Sequence, residues 1–292
     1  MKSVNFEAHT ITHRFYRIGG EHLRIACTDP ERAEGPPLLI FNGIGASAEI
    51  LEPLMRRITR LRTITFDVPG VGASQVSTRV RRLPGFARLA RDVLDTLGVE
   101  RVHVMGVSWG GGLAQQFARQ YPERVDRLVL AATSPGHIMV PGRLAVLLRM
   151  ATPLRYFSAG FFKHIAGDIY GGDFRTDAAL TERYARRMAP LAVLGYLNQL
   201  YAVAGWTSLH WLHTLRQPAL VMAGEDDPIV PLANARILAC RIPDAELEVF
   251  DCGHLFIFTR LEQTAARLER FLFQSAAERG SIRTRVNGGR GS

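Results

Sequence analysis

The stretch Val102-His103-Val104-Met105-Gly106-Val107-Ser108-Trp109-Gly110-Gly111-Gly112 decides the fold. Its first half is apolar and β-branched, as a buried strand requires. Its second half is a run of small residues that opens a helix. Between them lies Gly-x-Ser-x-Gly, and in that setting the serine sits on a sharp strand-to-helix turn with its hydroxyl exposed. Taken alone, the pentapeptide is equally a glycine-rich turn with a capping serine. The strand before it and the helix after it make Ser108 a candidate nucleophile. A free serine hydroxyl is a weak nucleophile near neutral pH, so the chemistry also needs a base and a group to orient that base.

Outward from this turn the pattern alternates. Apolar runs at 14–18 and 23–27 flank a turn at Gly19-Gly20 and read as strands. A buried strand at 37–41 runs into Asn42-Gly43-Ile44-Gly45, and helical spacing follows over 48–58. Another strand, 63–66, closes on Asp67-Val68-Pro69-Gly70-Val71-Gly72. A helix over 84–97 stops at Gly98, then come strand 102–107, helix 110–120 and strand 127–131. The rhythm breaks near Ser134-Pro135-Gly136 and resumes with strand 218–223, helix 231–240, strand 246–250 and helix 259–273. This order predicts an α/β fold: a mostly parallel central sheet with helices on both faces. Residues 1–134 and 214–277 would form the core. Residues 135–213, helical and aromatic, would form an inserted cap over the carboxyl edge of the sheet, where ligands of such sheets bind. Met139, Phe161, Phe162, Trp206 and Trp211 are its candidate substrate contacts; the plainer reading is a helical subdomain with its own core. The polar, Gly/Arg-rich stretch 278–292 reads as a disordered tail.

Composition narrows the field. The chain has 292 residues, 47% of them hydrophobic, which suits one α/β domain with an insertion. Its formal charge of +9 comes almost wholly from arginine, since Lys2 and Lys163 are the only lysines. Those arginines are scattered through amphipathic segments, as in Arg56-Arg57, Arg81-Arg82 and Arg186-Arg187, and form no stripe interleaved with aromatics. Solvated helix faces explain them better than a nucleic-acid site does. Cys27, Cys240 and Cys252 are too few and too scattered for a disulfide framework or a zinc site. The stretch Met1-Lys2-Ser3-Val4-Asn5-Phe6-Glu7 lacks the apolar core of a secretory signal, and no apolar run approaches the ~20 residues that span a bilayer. The expected location is the cytoplasm.

The base should follow the last sheet strand. Asp251-Cys252-Gly253-His254 does, and a loop histidine at the carboxyl edge can reach the serine. His9, His13 and His22 fall in the N-terminal strands, His103 inside the elbow strand, and His137 and His164 in or beside the cap. His210 and His213 are three apart with no third ligand nearby, so no metal site is expected. The acid should follow strand 218–223, where Gly224-Glu225-Asp226-Asp227-Pro228 offers three carboxylates; Asp227 is preferred, with Asp226 its rival as a loop hydrogen-bonder. The other strand able to supply an acid leads into Ala131-Ala132-Thr133-Ser134, which has no carboxylate. Serine, acid and histidine then occur in the chain order of an α/β-hydrolase. Two backbone N–H groups must hold the developing oxyanion. Trp109, opening the elbow helix, and Ile44, in its glycine-flanked loop, are the expected donors.

These motifs, together with Ile169-Tyr170-Gly171-Gly172, Gly205-Trp206-Thr207-Ser208-Leu209-His210-Trp211-Leu212-His213 and Gly253-His254-Leu255-Phe256, resemble the intracellular poly(3-hydroxyalkanoate) depolymerases of the α/β-hydrolase superfamily. The likeness runs from about residue 37 to 273 and includes the cap. It implies Ser108 as nucleophile, Asp227 as acid and His254 as base. It also implies a storage polyester with medium-length side chains as substrate, no cofactor, and action at granule surfaces in the cytoplasm. Asn42 fits the family where many esterases carry histidine. Cys252 departs from it, standing where an acidic residue is expected. A carboxylesterase or thioesterase for small molecules would need the same triad. A polymer synthase would carry cysteine in place of Ser108. A granule-binding protein without chemistry would not need the triad at all.

Overall fold

The structure, a computed structural model, describes residues 10–29, 33–189 and 191–275. The tail expected at 278–292, the N-terminal heptapeptide and His9 lie outside the described residues. Eight strands form one sheet: β1 (Ile11–Ile18), β2 (Glu21–Thr28), β3 (Leu38–Phe41), β4 (Thr63–Phe66), β5 (Val102–Val107), β6 (Val125–Ala131), β7 (Ala219–Gly224) and β8 (Ala245–Phe250). Their spatial order is β1-β2-β4-β3-β5-β6-β7-β8. The β1–β2 and β2–β4 pairings are antiparallel, and every other pairing is parallel.

The helices are α1 (Ala48–Arg57), α2 (Leu83–Thr96), α3 (Trp109–Gln120), α4 (Leu144–Met150), α5 (Ala159–Tyr170), α6 (Ala178–Ala185), α7 (Val193–Val203), α8 (Leu232–Arg241), α9 (Phe256–Thr259) and α10 (Leu261–Phe273). Strand alternation divides the core between the two faces of the sheet. Leu39, Phe41, Val102 and Val104 pack with Phe86, Leu94, Leu113, Phe117 and Leu238, from α2, α3 and α8. Leu38, Ile40, Met105 and Val107 pack with Leu51, Leu54, Phe256, Leu268 and Phe271, from α1, α9 and α10. The insertion between β6 and β7 carries α4 to α7 and a cluster of its own around Phe162, Ile165, Tyr170 and Tyr184, which closes onto Ile50, Ile229 and Leu255. No helix among the described residues is long and apolar enough to cross a membrane.

The continuous helix expected over 259–273 is interrupted. Arg260 leaves helical geometry, at φ −120° and ψ 43°, between α9 and α10. Its guanidinium donates to the Asp251 carbonyl at 2.8 Å and to the Asp173 carboxylate, tying the end of the insertion-facing loop to the core. The tertiary hydrogen bonds at this residue outweigh helix propensity, which is a weak prior.

His103 in β5 is 3% exposed, with Nδ1 3.3 Å from an Asp126 oxygen. Burial outweighs that carboxylate and pulls its pKa down to about 4 from 6.5. Between those two values the unfolded chain binds the proton and the folded chain does not. Stability therefore falls as pH drops through that window and levels off below it. Thermal unfolding measured from pH 7 to 4 should show Tm falling across that interval, with a shallower fall in His103→Gln. An equal fall in both proteins would remove His103 as its cause.

Candidate active site

The elbow is set by close backbone crossing. A Cβ on Gly106 would lie 2.2 Å from the Gly110 carbonyl oxygen, and one on Gly110 would lie 2.2 Å from that of Phe41. Glycine at both positions lets α3 pass directly over β3 and β5. The chain must then reverse within one residue, and Ser108 takes φ 54° and ψ −115°, a conformation that L side chains rarely adopt. Hydrogen bonds hold it there. Ser108 N–H donates to Ala131 O at 2.9 Å, and Ser108 O accepts from Thr133 Oγ1 at 2.7 Å and from Gly111 N–H at 2.9 Å. A backbone held from both ends presents its side chain to the open space above the sheet.

His254 follows β8 on a loop held by its own N–H, which donates to Tyr170 O at 2.8 Å. The Tyr170 ring lies nearly parallel to the imidazole, at 16° and 6.3 Å between centroids. His254 Nδ1 is 2.6 Å from Asp227 Oδ2, and both side chains are almost fully buried. Asp227 Oδ1 accepts from the N–H groups of Ile229 and Val230, each at 2.9 Å. With its carboxylate held on three sides, Asp227 takes the proton-bearing Nδ1 and leaves Nε2 for the cavity. Asp226 has a different set of partners: its carboxylate binds Arg175 and accepts from Gly172 N–H at 2.8 Å. It is therefore a clasp between the β7 loop and the end of α5. Cys252, two residues before His254, is buried, and burial pushes its thiol up to about 11, so it remains a protonated, inert neighbour.

The loop after β3 lies against the nucleophile: a Cβ on Gly43 would sit 3.7 Å from Ser108 Cβ. Three of its amides are engaged, Gly43 N–H with Asn42 Oδ1 at 2.8 Å, Gly45 N–H with Gln199 Oε1 at 2.9 Å, and Ala46 N–H with Gly43 O at 3.1 Å. The Ile44 N–H has no acceptor among the described residues, and neither has that of Trp109, the first residue of α3. Acyl-transfer chemistry needs two free backbone donors of this kind.

Two spaces meet at Ser108. One is a small cavity of about 30 Å³ walled by Ser108, His254, Asn42, Arg155, Tyr156 and Tyr170 and by apolar residues such as Ile50, Met150 and Leu255. The other is an apolar cleft of about 660 Å³, walled by Met139, Leu147, Met150, Leu200, Val203 and Trp206 together with Ser108 and Trp109. Of the cap residues expected to touch substrate, Met139 and Trp206 stand on the cleft wall. The other three require correction. Phe161 is 39% exposed on α5, off the cleft wall. Phe162 is fully buried in the cap's own cluster, stacked on Tyr184 at 5.8 Å. Trp211 packs edge-on against Trp206 in the main core, under Arg119. Phe161 and Phe162 are helical neighbours and point about 100° apart, while Trp211 lies in a turn; apolar type alone does not say which residue faces the cleft.

Gln199, on α7 and 1% exposed, escaped the sequence reading. Its Oε1 holds Gly45 and its carbonyl accepts the Trp109 indole N–H at 2.8 Å, so one cap residue grips the neighbours of both free amides. Tyr156 adds a bond from its hydroxyl to Ile44 O at 2.8 Å. No local motif marks either residue, because their partners lie 90 to 154 positions away in the chain.

Asp227→Asn should lower kcat for a soluble ester by three to four orders of magnitude (on the order of 10⁴-fold where a triad acid is removed elsewhere). Asp226→Asn should leave kcat within a few-fold of native and lower Tm, because only the Arg175 clasp is lost. The reverse ranking in steady-state kinetics would exchange their roles.

A family model for the α/β hydrolase fold matches residues 36–261. The chain is 48% identical over 262 residues to a poly(3-hydroxyalkanoate) depolymerase from Ectopseudomonas oleovorans, covering 89% of this chain and 92% of that protein. It is 30% identical over 269 residues to a 2-hydroxy-6-oxononadienedioate/2-hydroxy-6-oxononatrienedioate hydrolase from Paraburkholderia phymatum, covering 88% of this chain and 93% of that protein. Among solved structures, a hydrolase from Pseudomonas aeruginosa superposes with a TM-score of 0.77 at 24% identity, covering 93% of this chain and all of that one. The chain belongs to the α/β-hydrolase family and, within it, to the group of the poly(3-hydroxyalkanoate) depolymerases.

Proposed function

We propose that this protein hydrolyses the ester bonds of poly(3-hydroxyalkanoate) with medium-length side chains, using Ser108 as nucleophile, His254 as general base and acid, and Asp227 as the orienting acid. The observation that carries this reading is the position of Ser108, at the junction of an apolar cleft of about 660 Å³ and a small cavity walled by His254. The 48% identity to a named depolymerase supports the substrate class.

Ser108 Oγ attacks the ester carbonyl as His254 Nε2 takes its proton. The Ile44 and Trp109 amides receive the oxyanion, a role in which one donor is typically worth about 3 kcal/mol. His254 passes the proton to the departing 3-hydroxyl, leaving a 3-hydroxyacyl group on Ser108. Water, deprotonated by the same imidazole, then releases the acid. Asp227 fixes the tautomer and stabilises the imidazolium throughout. No step needs a metal or an organic cofactor.

Selectivity follows from the cleft. Each methylene buried there contributes about 0.8 kcal/mol, so pentyl side chains gain over methyl ones. The helices that wall the cleft also carry exposed apolar residues: Leu144 and Leu148 on α4, and Leu194, Leu197 and Tyr201 on α7, from 47% to 73% exposed. Their spacing puts each set on one face of its helix. An apolar rim of this kind suits the surface of a cytoplasmic polymer granule.

Incubation with amorphous medium-chain polymer should release 3-hydroxy acids, and Ser108→Ala should release none. Activity on soluble short esters with none on polymer would favour a small-molecule esterase instead. Filling the cleft with Val203→Trp should reduce turnover of pentyl-bearing polymer far more than that of methyl-bearing polymer. Equal losses on both, read as released acid, would detach the cleft from chain-length preference.

A further inference from the structure

Arg155 lies in the short turn Leu154–Tyr156 between α4 and α5 and is only 2% exposed. A guanidinium is protonated at every working pH. Buried charges are ordinarily paired, yet no carboxylate pairs with this one among the described residues. Its surroundings are tyrosines. Nη1 donates to Tyr196 Oη at 2.8 Å and to Thr152 O at 3.3 Å. The guanidinium carbon lies 4.7 Å from the Tyr156 ring centroid and 5.2 Å from that of Tyr196. Burial pushes the Tyr156 and Tyr196 hydroxyls up to about 12 and raises those of Tyr170 and Tyr184, so all four are neutral and none is a counter-ion. Arg155 Nε is buried without an acceptor. Rings and hydroxyls soften the desolvation of a cation; they do not neutralise it.

The uncompensated charge forms part of the wall of the cavity that Ser108 and His254 share. At about 30 Å³ that cavity has room for a group the size of a carboxylate but not for a pentyl chain, which the 660 Å³ cleft accepts. His254 borders the small cavity and is absent from the cleft wall. A general acid must lie within hydrogen-bond reach of the leaving oxygen, so the leaving monomer's hydroxyl end belongs on the His254 side. In a 3-hydroxyalkanoate the carboxyl carbon is two bonds from the carbon that bears this oxygen. If the leaving monomer is the last of its chain, that carboxyl is free and ionised.

We infer that Arg155 forms a carboxylate-binding subsite on the leaving-group side of Ser108, and that the polyester is cut from its carboxyl end. This rests on the depolymerase reading above. An incoming carboxylate supplies the missing counter-ion. The reaction itself is ordinary hydrolysis: the ester C–O bond breaks, the 3-hydroxyl leaves with the proton from His254, and water restores Ser108.

The test compares the dimer of 3-hydroxyoctanoate, with its carboxyl free, against the methyl ester of the same dimer. The native protein should favour the free acid in kcat/KM by about tenfold or more, the usual scale of a charged hydrogen bond. Arg155→Met should abolish that preference while the methyl ester is still turned over, and Arg155→Lys should keep part of it. Equal turnover of the two dimers by the native protein overturns the inference, as does mid-chain scission of polymer without monomer release. A second measurement needs no variant of a buried residue. Free 3-hydroxyoctanoate should inhibit hydrolysis of a neutral soluble ester about tenfold more strongly than 3-hydroxyoctanamide does. Inhibition of that kind without the dimer preference would place released monomer in the subsite and overturn the chain-end reading. Failure of the depolymerase reading looks different: polymer and both dimers are left intact while other esters are cleaved.

Discussion

The architecture depends on one close approach, the passage of α3 over the ends of β3 and β5 at Gly110 and Gly106. No side chain fits there, and that contact forces the reversal at Ser108. Backbone held at such angles costs on the order of 1–3 kcal/mol and persists only where the surroundings over-determine it. Here they do. β5 is buried along its whole length, each face of the sheet has its own apolar cluster, and the Ser108 carbonyl is clasped by Thr133 and Gly111. The strain aims a hydroxyl that a relaxed turn would bury or let rotate.

The insertion does more than cover the sheet's edge. Gln199 holds Gly45 and the Trp109 indole, and Tyr156 holds the Ile44 carbonyl. Gly195 on α7 meets Gly70 so closely that a Cβ on either would lie under 3 Å from the other's backbone. Through these contacts the position of the cap is coupled to the geometry of the two free amides. A shift of α7 would move those two amides along with the cleft wall.

Two buried arginines illustrate how charge is handled. Arg24 is fully paired: it bonds Asp67, which also caps the start of α1 through Ala48 N–H, and it forks onto Glu49, whose burial is outweighed by that arginine so that its carboxyl is held at about 2. That network fastens the loops after β3 and β4, beneath the site. Arg155 has only aromatic rings, hydroxyls and a carbonyl around it. The contrast separates a paired ion network from a charge left unpaired on the wall of the cavity that Ser108 and His254 share.

The strand and helix alternation, the break for the insertion, and Ser108, His254 and the acidic loop after the seventh strand as the places to watch were legible from local patterns. Periodicity of two or 3.6, glycine at a forced turn, and chain order all act over a few residues and leave a mark in the sequence. The choice between Asp226 and Asp227 was not legible, because adjacent side chains on a loop point to different partners, and only folding brings Arg175 to one and His254 to the other. The same limit applied to the cap. Phe162 and Trp211 are as apolar as Met139 and Trp206, and only the packing of the insertion decided which pair reached the cleft. Gln199 and Arg155 were invisible for a related reason. Their significance lies in what surrounds them, and those partners come from distant segments that only tertiary packing brings together.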